Sequence, residues 1–238
     1  MSTGAVVGLT VLGAVVLLCA GEFAARALVR ARLAGMCADV LFHRPAVALG
    51  ARPVLLQLAE RRLARVGVDT DGEPADPRAL LLRGEARGVS TAPGGLRLRA
   101  LDARATLPLP WIRYAAEAAG GNGDGVVVRS ISLMPRRGAL SVTVGLPVAF
   151  GRGIDVRMAI AVTVADGRLA FRATDLSMPL SPVPVPIPMA WAIDSWIVAL
   201  RAKVIPPALD ALTITAVEWG RDAVIVDVTA HDATVPMS

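Results

Sequence analysis

Eighteen consecutive residues without a charge, "GAVVGLTVLGAVVLLCAG" from Gly4 to Gly21, open the hydropathy pattern. A run of this length reads as membrane-spanning. Leu18 stands before Cys19 where a lipoprotein signal needs a small residue, and "CAG" and "ARA" are poor cleavage sites. The expectation is therefore an uncleaved anchor or signal segment over residues 1–21, with its helix able to run on through Glu22, Arg26 and Arg30, and one α+β body over 22–238. Arg26, Arg30 and Arg32 follow the run and no basic residue precedes it, which by charge bias would keep the body cytoplasmic.

The next stretch, "VALGARPVLLQLAERRLARVGVDT", reads as a short strand, a compact helix and a second strand. Pro53 suits a first helical turn. At 100° per residue, Leu55, Leu56, Leu58, Ala59, Leu63 and Val66 share one arc, and Gln57, Glu60, Arg61 and Arg65 the other. Such a helix presents Leu55, Leu58 and Leu63 to a sheet or to lipid, and its arginines to water or head groups.

Alternation of period two then dominates. "ALLLRGEARGVS" and "LRLRALDARATLPL" flank a "TAPGG" turn, and the apolar phase of the second slips by one near Ala100, which predicts a β-bulge. "PWIRYAAEAAGGNGDG" predicts a short helix ending in a glycine-rich turn. "GVVVRSISLMP" and "GALSVTVGLPVAF" predict two strands joined at "RRG". In the next hairpin Ile154, Val156, Met158, Ile160, Val162 and Val164 alternate onto one face up to an Asp166-Gly167 turn. Alternate prolines in "MPLSPVPVPIP", residues 178–188, predict a stiff extended connector. It leads into "MAWAIDSWIVALRAKV", a helix apolar nearly all round: Ile193, Ile197, Leu200 and Val204 form its main stripe, with Trp191 and Trp196 on other sides. A last hairpin closes the chain. The fold expected is α+β, a long curved antiparallel sheet wrapped around apolar helices.

Composition narrows the chemistry. Hydrophobic residues make up 54% of the chain and charged ones 19%, so the sequence is not of the disordered class. The formal charge is +5, and Lys203 is the only lysine, a bias that follows base composition in a GC-rich genome. The positive balance suits anionic phospholipid head groups or lipoglycans. No basic run is interleaved with stacking aromatics, which argues against nucleic acid. His43 and His231 are the only histidines, too few for a multi-histidine metal site. No serine sits in a GxSxG elbow, Cys37 has no activating neighbours, and "GGNGDG" lacks the lysine of a phosphate loop. Neither catalytic residues, a metal nor a cofactor is expected. Apolar lining is abundant instead. It forms either a filled core or a groove for acyl chains, the latter lined by Leu55, Leu58, Leu63, Val156, Met158, Ile160, Val162, Trp191, Ile193, Trp196, Ile197 and Leu200.

The order of segments resembles the LmeA-like family of phospholipid-binding envelope proteins of high-GC bacteria. Pro53, Leu55, Gln57, Leu58 and Arg61 follow that family's Pro-Phe-Leu, Gln-Leu-Leu, Gly-Arg pattern, with Val54 in place of the phenylalanine and Glu60 in place of the glycine. "GGLRLRALDARATL" and "IPPALDALTITAVEWGRDAVIVDVTAHD" are similar to later family segments. The resemblance implies a tubular lipid-binding fold with an apolar cavity. It further implies phospholipid or another acyl lipid as partner, a membrane-anchored place in the cell envelope with the body extracytoplasmic, and a supporting role in lipid transfer or lipoglycan assembly. It implies no metal and no catalytic residues.

Overall fold

The computed structural model describes residues 3–70, 76–93, 95–120, 126–147, 153–177, 187–204 and 211–236, the side chains of 3–14, 39–40, 147, 153, 187–190, 203 and 236 excepted. It opens with α1 (Thr3–Leu41), one unbroken helix that carries the apolar run straight on into the arginine-bearing segment. After it come β1 (Ala46–Leu49), α2 (Val54–Ala59), β2 (Arg62–Asp69), β3 (Leu81–Ala92) and β4 (Gly95–Pro108). Then follow α3 (Leu109–Gly120), β5 (Val127–Met134), β6 (Ala139–Pro147), β7 (Gly153–Ala165) and β8 (Arg168–Ser177). The chain ends with α4 (Ile187–Val204), β9 (Thr213–Trp219) and β10 (Ala223–Pro236).

The architecture is α+β and antiparallel, but the strands divide between two sheets instead of forming one. One has the order β1-β2-β3-β4-β10-β9 and the other β5-β6-β7-β8. β10 pairs with the free side of β4 along almost its whole length. With that edge taken, β5 starts a second sheet after α3 instead of extending the first. The sheets meet where Ile214 N–H donates to the Gly167 carbonyl at 2.8 Å. Asp166 (φ 52°) and Gly167 (φ 71°) make the expected tight turn there, both in the left-handed region.

Three local expectations need correction. α2 stops at Ala59, and Leu63 and Val66 belong to β2, because β1 and β3 supply ladder partners on both sides of that segment. Arg61, at φ 53°, turns the chain from helix to strand. Residues 178–186 of the proline-rich connector lie outside the described residues, while Ile187 and Pro188 already belong to α4, where a proline is tolerated in the first turn.

The third correction concerns the phase slip in β4. The slip is present: β4 buries Leu98 before it and Ala103 after it. No residue is inserted, however, since the pairing of β4 with β3 and with β10 keeps one register on either side. Arg99 is flanked instead by two left-handed residues, Gly88 (φ 62°) on β3 and Asp232 (φ 46°) on β10. The slip is shared across the sheet. β10 buries Val226 and Ala230 on one side of it and Ala233 on the other. On β2 the Ala64 N–H leaves the ladder altogether and donates to the Gln57 side chain. A row through Ala64, Gly88, Arg99 and Asp232 is thus a fault line across four strands. Strands held in constant register have to change face together.

The main core lies between the four-stranded sheet, α3, α4 and the β9–β10 edge of the other sheet. Val142, Val144, Val156, Met158 and Ile160 face Ala116, Ile193, Trp196 and Leu200 in one cluster. Burial of each large side chain there contributes roughly 1.5–3 kcal/mol. Trp196 Nε1 donates to the Ala116 carbonyl at 3.2 Å, so the one polar atom of that indole is satisfied where α4 crosses α3. A second, smaller cluster joins Leu49, Val54 and Val66 to Ala25, Val29 and Leu33 of α1.

Candidate functional site

The junction of α1 and α2 is built by polar residues set among apolar ones. Glu22 is the first charged residue after the apolar run. Its Oε1 accepts from the Val54 N–H at 2.6 Å and its Oε2 from the Leu55 N–H at 3.0 Å. These are amides of the first turn of α2 that the helix itself leaves unbonded. Arg26 donates through Nε to Glu22 at 2.7 Å and through Nη2 to the Arg52 carbonyl at 3.0 Å. The Leu55 and Val54 amides, helped by Arg26, hold the Glu22 carboxyl below the usual glutamate range. On the far side of α2, Gln57 is fully buried, donating from Nε2 to the Arg52 carbonyl at 2.7 Å and accepting from the Ala64 N–H at 2.6 Å. α2 is therefore held to the long helix by one carboxylate and to β2 by one amide.

This mounting decides which face of α2 looks inward. Val54 and Gln57 are buried, whereas Leu55, Leu56 and Leu58 are 39%, 47% and 46% exposed. Leu55 Cδ1 lies 3.6 Å from where a Cβ on Gly21 would stand, so this exposed leucine sits beside the last residue of the apolar run. Of the two expectations for the leucine arc, sheet or lipid, its α2 residues do not take the sheet: they face outward. Gln57, from the opposite arc, makes the inward contact, and its side chain bonds the Ala64 N–H, which the strand ladder leaves without a partner, and the Arg52 carbonyl. Sequence reasoning missed Glu22 and Gln57. The available signals were a carboxylate at the end of an apolar run and a lone amide between leucines in sequence.

The twelve residues expected to line an acyl groove fall in three places. Val156, Met158, Ile160, Ile193, Trp196, Ile197 and Leu200 come together in the main core, with Val162 half-buried at its margin. Leu63 packs in the second cluster under α1. Leu55, Leu58 and Trp191 are exposed, Trp191 by 68%. On α4, Trp196 therefore joins the buried stripe while Trp191 and Val198 form an outward apolar pair. Val15, Val16, Leu17, Leu18 and Phe23 of α1 are likewise exposed.

Among the described residues no helix is long and apolar enough to cross a membrane, and the run that carries the anchor expectation, residues 4–21, lies largely outside those whose side chains are described. Among the described residues no three His, Cys, Asp or Glu side chains converge as metal ligands would. No protein-family model matches the chain, and neither a curated protein nor a solved structure is significantly similar to it.

Proposed function

We propose that the chain is a membrane-tethered phospholipid-binding protein of the LmeA-like kind. In this reading residues 4–21 anchor it in the membrane of a cell envelope, and the extracytoplasmic body folds in the tubular lipid-binding manner. Acyl chains lie between α4 and the four-stranded sheet, and the protein supports lipid transfer or lipoglycan assembly without catalysing a reaction.

The observation that carries the reading is that the outward side of α4 holds two large apolar side chains, Trp191 and Val198, alongside the exposed charges Asp194 and Arg201. The inner stripe of the helix lies in the core while Trp191 and Val198 stay 68% and 69% exposed. A soluble helix ordinarily pairs an apolar stripe with a polar back. An outward side that keeps large apolar residues among its charges suits a gate that exchanges contact with the sheet for contact with lipid. The exposed leucines of α2, of which Leu55 lies beside Gly21, add a second apolar surface.

Native mass spectrometry of the full chain, released from neutral detergent, tests this directly. Adducts with the masses of phospholipids, lost on organic extraction and regained with added lipid, are expected. The full chain is needed because Ala25, Val29 and Leu33 of α1 belong to the second core cluster, which a body begun near Gly35 would lose. One observation favours a second reading, an assembly protein with a filled core: Met158, Ile160, Ile193, Trp196 and Leu200 are each at most 1% exposed and lie in one cluster. A folded chain that neither carries nor takes up lipid would establish that alternative.

A further inference from the structure

We infer that the fault line of the six-stranded sheet forms an arginine hollow that docks the body on the phosphate groups of an anionic membrane surface. The hollow, about 640 Å³ and open to solvent, is centred on Arg62, Gly88, Arg99 and Asp232. Arg97 extends it along β4, and Arg52, Arg87 and His231 stand at its rim.

The charges at its rim are paired, those at its centre are not. Arg87 is paired with Glu85 and Arg52 with Glu60. The side chains of Arg62, Arg97 and Arg99 make no hydrogen bond or ion pair among the described residues. Asp232 is the one carboxylate of the lining and bonds none of them. Three neighbouring free guanidiniums repel one another, and each keeps the planar donor fork that matches a phosphate in bidentate fashion.

The backbone brings them together. Left-handed Gly88 has no side chain, and a Cβ there would stand 2.8 Å from Arg62 Nη2 and 2.9 Å from Arg99 Cβ. Gly88 thus leaves the space in which the Arg62 guanidinium lies over the sheet beside Arg99. The shared change of face keeps Arg97 and Arg99 exposed together with Asp232.

The position selects the partner. The carbonyl of Arg52, a rim residue, is bonded both by Arg26 of α1 and by Gln57 of α2. Arg26 is five residues beyond Gly21, about 8 Å along a helix. The polar layer of a bilayer extends roughly 5–8 Å beyond the hydrocarbon on each side, so the rim stands at head-group depth when residues 4–21 span the hydrocarbon. The inference rests on the anchor reading for its source of phosphate, and is independent of whether acyl chains enter the core.

The test reconstitutes the full chain in nanodiscs of phosphatidylcholine alone or with phosphatidic acid, and follows amide exchange of segments 85–92 and 229–235. Phosphatidic acid is expected to slow exchange there, with about five-fold weaker docking for each arginine removed, so that R62Q/R99Q abolishes the slowing. D232N keeps a residue type that tolerates the left-handed backbone and should strengthen docking about five-fold. It remains informative if the double variant does not fold. Equal exchange in both discs, unchanged docking in R62Q/R99Q, or no gain in D232N overturns the inference. Slowing by inorganic phosphate in phosphatidylcholine discs, equal to that by phosphatidic acid, makes the ligand a free anion and overturns the membrane as partner. A chain that enters neither disc refutes the anchor reading and the docking with it, whereas lipid adducts in mass spectrometry would still report on the core.

Discussion

Arg99 and Arg104 stand five residues apart on β4, both exposed, and their surroundings are opposite. Arg104 makes a two-pronged contact with Asp227 on β10, Nε to Oδ1 at 2.6 Å and Nη2 to Oδ2 at 2.7 Å, and also reaches Glu218 at 3.4 Å. Around it, Arg65 and Arg87 share Glu85 and Arg83 bonds Asp69, so this trough of about 830 Å³ is a lattice of matched charges. Across the fault line the same strands place Arg62, Arg97 and Arg99 together with one unengaged aspartate. The difference teaches that a high arginine content is not itself a signal. In the trough, register sets acid opposite base, as cross-strand pairing favours. In the hollow, a change of face withholds the acids.

The contrast can be broken most severely at Gln57. In Gln57→Leu the Ala64 N–H and one bond to the Arg52 carbonyl lose their partner. A loss of about 1–3 kcal/mol is expected in urea unfolding, with faster amide exchange on the hollow side of β2 and little change around Arg104. No change in stability would mean that the fault line is held by other contacts. Gly88→Ala comes next. Its left-handed φ and the crowding against Arg62 and Arg99 predict a loss of about 1–3 kcal/mol. An unaltered melting curve would show that the strand can flatten there.

Asp227→Asn sharpens the comparison by turning part of the trough into a second hollow. Both side chains are partly solvated, so stability should fall by less than about 1 kcal/mol. Arg104, now free, should increase retention on anionic vesicles. Unchanged retention would mean that a free arginine on this face is not enough to draw the surface to phosphate. The smallest effect concerns pH. Hydrogen bonds from Arg104 depress the Asp227 carboxyl, as the Leu55 and Val54 amides depress that of Glu22. Folded carboxyls lowered in this way stabilise fully above the ordinary values near 4, and the contribution declines as pH falls through those values toward the folded ones. Exchange at Val54 and Leu55 should therefore quicken only below about pH 4. Quickening between pH 5 and 7 would point to a group other than Glu22.

Much of the fold is legible along the chain. Alternation from Ile154 to Val162 with an Asp-Gly turn has one good solution, since period two and left-handed turn residues leave little else. Pro53 marks the start of α2, and the β4 slip was visible as a lapse in alternation. The end of α2 was not visible, because over a few residues a leucine arc and a strand face select overlapping positions. The neighbouring strands β1 and β3 decided between them. The candidate lipid residues were legible only as apolar. Their division into core, second cluster and exposed surface depends on which element covers them, as Trp191 and Trp196 on one helix demonstrate.

The sequence by itself determined the apolar run, the strand periodicity, the tight turns and the lack of paired histidines, because these depend on local geometry and residue chemistry. The tertiary structure alone decided the inward role of Gln57, the clamp by Glu22, the split into two sheets and the gathering of Arg62, Arg97 and Arg99. Those features depend on antiparallel register, which sets residues distant in sequence side by side. A charge is neutral or free according to what register puts next to it, and no window along the chain contains that partner.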